Sequence, residues 1–329
     1  MRARLSKLTR SQALLALAAG VVVVGAASAL VVWLLQEPRS AIGPMPAAAL
    51  RLPADIHYVA GLDVRRFADS PLYGRFASSL PFAPEALKRL QAETGLDIRR
   101  DLTHVLFAGD SPKDAMTSIV VLVLRPRHDL ERWLAKQDIR RYEHEGRRIY
   151  ILATKPVPRV AALLADDTVV IGMPDQVELA VAARARSATP LRSNEALTAL
   201  VAGLRADAPL WLACQVTAAS STEGLSPQLA RAFAGVRAVT MTGDLQPALS
   251  LRFTATTDAP DSARQLAGAL GEIVTLALYA AQQNAALRDL VRSVTTTQQE
   301  QHVLVAATIP YALVDSLASV NLAAPRPPS

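Results

Sequence analysis

Residues 140–150 read RRYEHEGRRIY, four arginines, two glutamates and a histidine crowded around one glycine. Two readings compete for this stretch. As architecture, Glu145-Gly146 forms the two-residue turn of a β-hairpin, with glycine supplying a positive φ. That register sets Glu143 opposite Arg148 and Tyr142 opposite Ile149, so opposite charges and apolar groups pair across the ladder. A charged rim also keeps an edge strand from pairing with foreign chains. As chemistry, the arginines form a patch for an anion: a lipid headgroup, a polysaccharide or an acidic partner. A catalytic His144 is a third reading. The hairpin accounts for the charges by construction, and it makes the sheet around it antiparallel.

Working outward, the runs at 56–64, 103–109, 118–125, 148–153 and 168–173 alternate or cluster apolar residues as strands do. Helices are expected over PEALKRLQAETG, DLERWLAK and DQVELAVAARA, each beginning near a Pro or Asp. Beyond residue 193 the plan recurs, with strand-like runs at 209–216, 236–243, 249–256 and 302–308. A longer helix starts near Asp261, where Leu266, Ala269, Leu270, Ile273, Leu276 and Ala277 keep a helical period. Three local echoes suggest a duplication. Leu52-Pro53-Ala54-Asp55 matches Leu204-Arg205-Ala206-Asp207, Gly109-Asp110 matches Gly243-Asp244, and YEHEGRRIYIL matches TQQEQHVLVA. The expected fold class is therefore α+β: an N-terminal transmembrane helix followed by two tandem, duplicated, largely antiparallel sheet-plus-helix units, 53–192 and 193–320.

The transmembrane expectation rests on Ala13 to Leu35, 23 residues without a charge. At 1.5 Å per residue this spans about 34 Å, enough for a hydrocarbon core of about 30 Å. The run exceeds a signal-peptide core, although Ala27-Ser28-Ala29 would suit cleavage. Arg2, Arg4, Lys7 and Arg10 precede it without an acid, which keeps residues 1–12 in the cytoplasm and sends the rest out. Residues 36–52 form a proline-containing linker and 321–329 a frayed tail. Net charge divides as +4 before residue 36, +4 over 36–192 and −2 beyond, so the near-neutral outer part argues against nucleic acid.

The chemistry-bearing motifs are few. No phosphate-binding glycine loop, nucleophile elbow or zinc-binding His pair is present, and the single cysteine excludes an internal disulfide and a thiolate zinc site. His57, His104, His128, His144 and His302 are dispersed, Asp166-Asp167 and Asp110-Ser111-Pro112 read as turns, and Cys214 reads as a small core residue. No catalytic residue, cofactor or metal is assigned. The binding surface is expected on Arg99, Arg100, Arg140, Arg141, Arg147 and Arg148, in the more basic first unit.

The stretch LPADIHYVAGLDVRRFADSPLYGRF (52–76), directly after one hydrophobic segment, resembles the opening of bacterial single-pass membrane-anchored envelope proteins of unknown function. Leu52, Pro53, Asp55, Asp63, Ser70, Pro71 and Leu72 carry the likeness, and all are turn or cap residues. The resemblance implies an α+β extracytoplasmic domain and no active site. The expectation is a non-enzymatic protein of the bacterial inner membrane, with its C-terminal part periplasmic. It would bind another envelope protein or an anionic lipid or glycan. The alternatives are a hydrolase whose site forms only in three dimensions, or a subunit of a sensor or assembly complex.

Overall fold

A computed structural model of the chain describes residues 42–76, 91–92, 97–110, 118–125, 131, 139–154, 157–217, 227–282 and 284–314. The expected cytoplasmic residues 1–12, the transmembrane span 13–35, linker residues 36–41, the helices at 84–95 and 129–136 apart from 91–92 and 131, Ser111-Pro112, His128 and the tail lie outside them. Among the described residues no helix is long and apolar enough to cross a membrane, which says nothing of strands.

Twelve strands make one antiparallel sheet in the order β11-β12-β10-β9-β8-β1-β2-β3-β7-β6-β5-β4. The first seven are β1 Tyr58–Asp63, β2 Leu102–Gly109, β3 Ile119–Leu124, β4 Arg141–His144, β5 Arg147–Ala153, β6 Arg159–Ala165 and β7 Thr168–Gly172. The other five are β8 Leu210–Gln215, β9 Val236–Asp244, β10 Leu249–Thr257, β11 Thr295–Gln299 and β12 His302–Ile309. The eight described α-helices are α1 Val64–Ala68, α2 Pro71–Phe76, α3 Ile98–Asp101, α4 Pro174–Ala185, α5 Glu195–Ala202, α6 Pro227–Phe233, α7 Pro260–Ala280 and α8 Ala285–Ser293. The architecture is thus α+β around a large antiparallel sheet.

The opening hairpin stands at one edge of this sheet. Glu145 and Gly146 sit at φ 47° and 70°, and β4 pairs β5 with Glu143 opposite Arg148 and Tyr142 opposite Ile149. The other edge carries a second hairpin, β11 and β12, turning at Glu300-Gln301 with Glu300 at φ 52°. The two hairpins dock differently. β12 pairs directly with β10, whereas β5 meets β6, and the β6–β7 pair intervenes before β3. β6 was not evident from periodicity, because RVAALLA is alanine- and leucine-rich and suits a helix by local propensity. It is a strand because it has ladder partners on both sides and places Val160, Ala162 and Leu164 in the core.

β1 and β8 pair at the middle of the sheet. On one face, α4, α5 and the 3-10 turn Ala49–Arg51 bury Val59, Leu106, Val121, Val170 and Trp211. On the opposite face α1 and α8 pack Phe67 and Leu290 with Leu62, Leu210, Met241 and Leu251, and α7 seats Ala263 and Leu266 beside Val303. The central strands are covered from both sides, so β1 and β2 are buried almost throughout, while β7 alternates as a one-sided strand does. Gly61 of β1 is required at this seam: a Cβ there would lie 2.5 Å from the Trp211 indole, which is 1% exposed.

Candidate functional site

The site is built at the first described residues and where the chain crosses between the halves. After α4 begins at Pro174, Gln176 Oε1 accepts from the Met173 N–H at 3.4 Å and satisfies one free donor of the first turn. The helix stops at Arg186, which adopts φ 68°, while the Ser187 and Ala188 N–H groups donate back to the Ala182 carbonyl. That reversal sends residues 189–191 alongside 52–54. The Ala54 N–H donates to the Thr189 carbonyl, the Leu191 N–H to the Leu52 carbonyl, and Pro53 bridges Pro190. Asn194 locks the crossing: its Nδ2 donates to the carbonyls of Ala54 (2.9 Å) and Ile56 (3.2 Å), and its Oδ1 accepts from Leu197 N and Gln215 Nε2.

Three short elements therefore meet: the turn Ala49–Arg51, the C-terminus of α4 and the 3-10 turn Leu191–Ser193. Between them lies a cavity of about 280 Å³ lined by Ala47, Leu50, Arg51, Ala183, Arg184, Arg186, Pro190 and Arg192. Four arginines thus line one concavity together with Ala47, Leu50, Ala183 and Pro190. Arg51 depresses the pKa of Arg184 most, followed by desolvation and then by Arg147 and Arg186, all of which disfavour its charge. Arg184 Nε is buried without a hydrogen-bond partner. None of Arg51, Arg147, Arg184, Arg186 and Arg192 forms an ion pair among the described residues. The carbonyls at the end of α4 favour cations at Arg184 and Arg186. They do not account for Arg51 and Arg192, which reach the cavity from other elements.

Of the arginines expected from sequence, Arg147 contributes to this field. Arg140, Arg141 and Arg148 are exposed on the β4–β5 rim, and Arg148 binds Glu131 at 3.2 Å. Arg99 and Arg100 lie on α3, with Arg100 Nε 3.2 Å from Asp101 Oδ1. α3 leads into β2, four strand spacings from β5, or about 19 Å, so the six do not form one site. Arg51, Arg184, Arg186 and Arg192 were not singled out from sequence. A signal for three of them was available: between Glu178 and Glu195 the chain carries three arginines and no acid.

The remaining titratable groups occupy separate places. His104 is 6% exposed, burial pushes its pKa down to about 3, and its Nε2 lies 3.8 Å from Asp63 Oδ2. His57 lies 3.7 Å from Asp110, and His302 Nδ1 lies 3.2 Å from the Thr256 hydroxyl on another strand. Cys214 is buried and its thiol is pushed up to about 11, which suits a core residue rather than a nucleophile. Among the described residues no group of three or more His, Cys, Asp or Glu is placed to hold a metal.

No family model matches this chain, and no curated protein matches it either. Among solved structures it is similar to crystal form I of TP0453, with 10% identity and a TM-score of 0.43 over 84% of this chain and 97% of that one.

Proposed function

We propose that this protein is a non-enzymatic anion-binding protein of the bacterial envelope, anchored by residues 13–35, and that the arginine cleft is its site. One observation carries the reading: Arg51, Arg184, Arg186 and Arg192 line one cavity without a carboxylate partner among the described residues. Like charges gathered at a concave site cost stability unless a counter-ion joins them, and guanidiniums match phosphate and carboxylate geometry. Arg186 supports the reading independently. It holds a left-handed backbone conformation that favours glycine, so the position keeps its charge at a conformational cost.

The scaffold is proposed to be a duplication with β1-β2-β3 matched by β8-β9-β10, each outer edge closed by a matched hairpin. β6 and β7 are then an addition to the first copy, as are α4 and the site at its end.

Calorimetric titration of the full-length protein in neutral detergent with inorganic pyrophosphate tests the site. Arg51→Ala/Arg192→Ala is expected to weaken binding by at least about tenfold, since charge-assisted hydrogen bonds contribute about 1.5–3 kcal/mol each. Arg140→Ala/Arg141→Ala is expected to leave it unchanged. Equal losses from both pairs would return the site to the hairpin rim.

A further inference from the structure

We infer that the anion held in the arginine cleft is the phosphodiester headgroup of an anionic phospholipid in the bilayer that anchors the chain, so that the cleft docks the folded part onto its own membrane. The inference rests on the anion-binding reading and adds the source of the anion.

The length of the tether is the first argument. The apolar run ends at Leu35 and the described fold begins at Ile42. Seven residue steps reach at most about 25 Å. Ile42 and Met45 then exchange backbone hydrogen bonds in a tight turn with Gly43 at φ 53°, and Ala47, Leu50 and Arg51 follow at once. The cleft is thus built on the first described residues after the anchor. A site confined that near a surface meets headgroups at an effective concentration in the millimolar range, so a weak and partly open site is filled.

Size and lining give the second argument. A cavity of about 280 Å³ lies just below the usual range for drug-sized ligands. It suits a headgroup and not an extracted lipid with its acyl chains. Ala47, Leu50, Ala183 and Pro190 give the same cavity an apolar lining beside its arginines. A soluble inorganic anion gains nothing from apolar lining, whereas the glycerol carbons beside a phosphodiester do. Basic side chains near an anionic leaflet each strengthen attraction by about fivefold, and the effect decays within about 8 Å at physiological salt. Short tether and clustered charge are therefore both needed.

The test places the full-length protein in nanodiscs of pure phosphatidylcholine, or of phosphatidylcholine with about one third phosphatidylglycerol, and follows amide hydrogen exchange at residues 47–51 and 183–192. Exchange is expected to slow by at least about fivefold in the anionic discs only. The protection is expected to vanish in Arg51→Ala/Arg192→Ala, whose thermal midpoint should be no lower than the parent's, because both side chains are exposed and the loss of Arg51 relieves the repulsion on Arg184. Equal exchange in the two lipids, with pyrophosphate in solution still protecting the segments, would overturn the lipid source and leave the anion site standing. Absence of protection by either would overturn both.

Discussion

The two halves of the sheet treat their arginines differently. In the second half Arg205 is held by Asp207 and Asp244, Arg237 by Asp258, Arg264 by Asp261 and Arg292 by Asp289, each within 4.0 Å. Around the cleft of the first half, Arg51, Arg147, Arg184, Arg186 and Arg192 have no such partner among the described residues. The pairs follow local rules: Asp261–Arg264 and Asp289–Arg292 are one helical turn apart. Arg237–Asp258 joins the region beyond β10 to β9. Exposed pairs of this kind contribute about 0–1 kcal/mol each, so their value is neutrality more than strength. Against these pairs, and against Arg100–Asp101 and Arg148–Glu131 in the first half, the arginines gathered around the cleft without an acidic partner are informative.

The comparison is sharp only if the halves are one cooperative body, and Trp211 decides that. It stands on β8, packs over Gly61 of β1 and belongs to the core of the first half. Trp211→Ala is expected to cost about 3–5 kcal/mol, the range for removing a large aromatic from a core. Hydrogen exchange should then rise together in β2–β3 and in β9–β10. A rise confined to one side would break the sheet into two independently stable units.

His104 sharpens the same contrast through pH. Its folded-state pKa of about 3 lies below the ordinary 6.5, so as acid is added the unfolded chain takes up the proton first. The stabilisation is complete above pH 6.5 and is lost progressively down to about pH 3. Its ceiling is on the order of 5 kcal/mol, from the size of that shift. Denaturant midpoints between pH 7 and pH 4 should fall steeply in the parent and less in His104→Gln. Identical slopes would assign the acid sensitivity to other groups.

Gly61→Ala comes next, at about 1–3 kcal/mol, because a Cβ driven into a buried indole leaves no flexible chain to yield. A second change, Trp211→Leu, should recover part of the loss. Failure to recover it would move the clash elsewhere in the seam.

Much of the scaffold was legible because one-dimensional rules governed it. The register of β4 and β5 follows from the position of Glu145-Gly146, and α4 follows from Pro174 and its helical period. What was not legible depended on distant partners. RVAALLA becomes β6 only between β5 and β7, and Arg51 joins Arg192 only because residues 52–54 lie against 189–191. Charge density in sequence led to the hairpin, where alternation spreads side chains over an exposed rim. The cleft gathers fewer arginines per residue of chain, but from three elements.

The smallest expected effect separates the cleft's cost from its use. Arg186 ends α4 at φ 68°, where an L-residue is strained and glycine is not. Arg186→Gly removes that strain and one of the charges that disfavour Arg184. Both changes act toward stability and outweigh the lost attraction to the α4 carbonyls, so the variant is expected to gain up to about 0.4–1 kcal/mol, offset in part by the entropy glycine restores to the unfolded chain. Pyrophosphate or headgroup affinity should fall by about fivefold in the same protein. Opposite signs in the two measurements are what a binding position predicts. A helix-capping role for Arg186 predicts that stability falls and affinity stays, and thermal unfolding with and without pyrophosphate reads both at once.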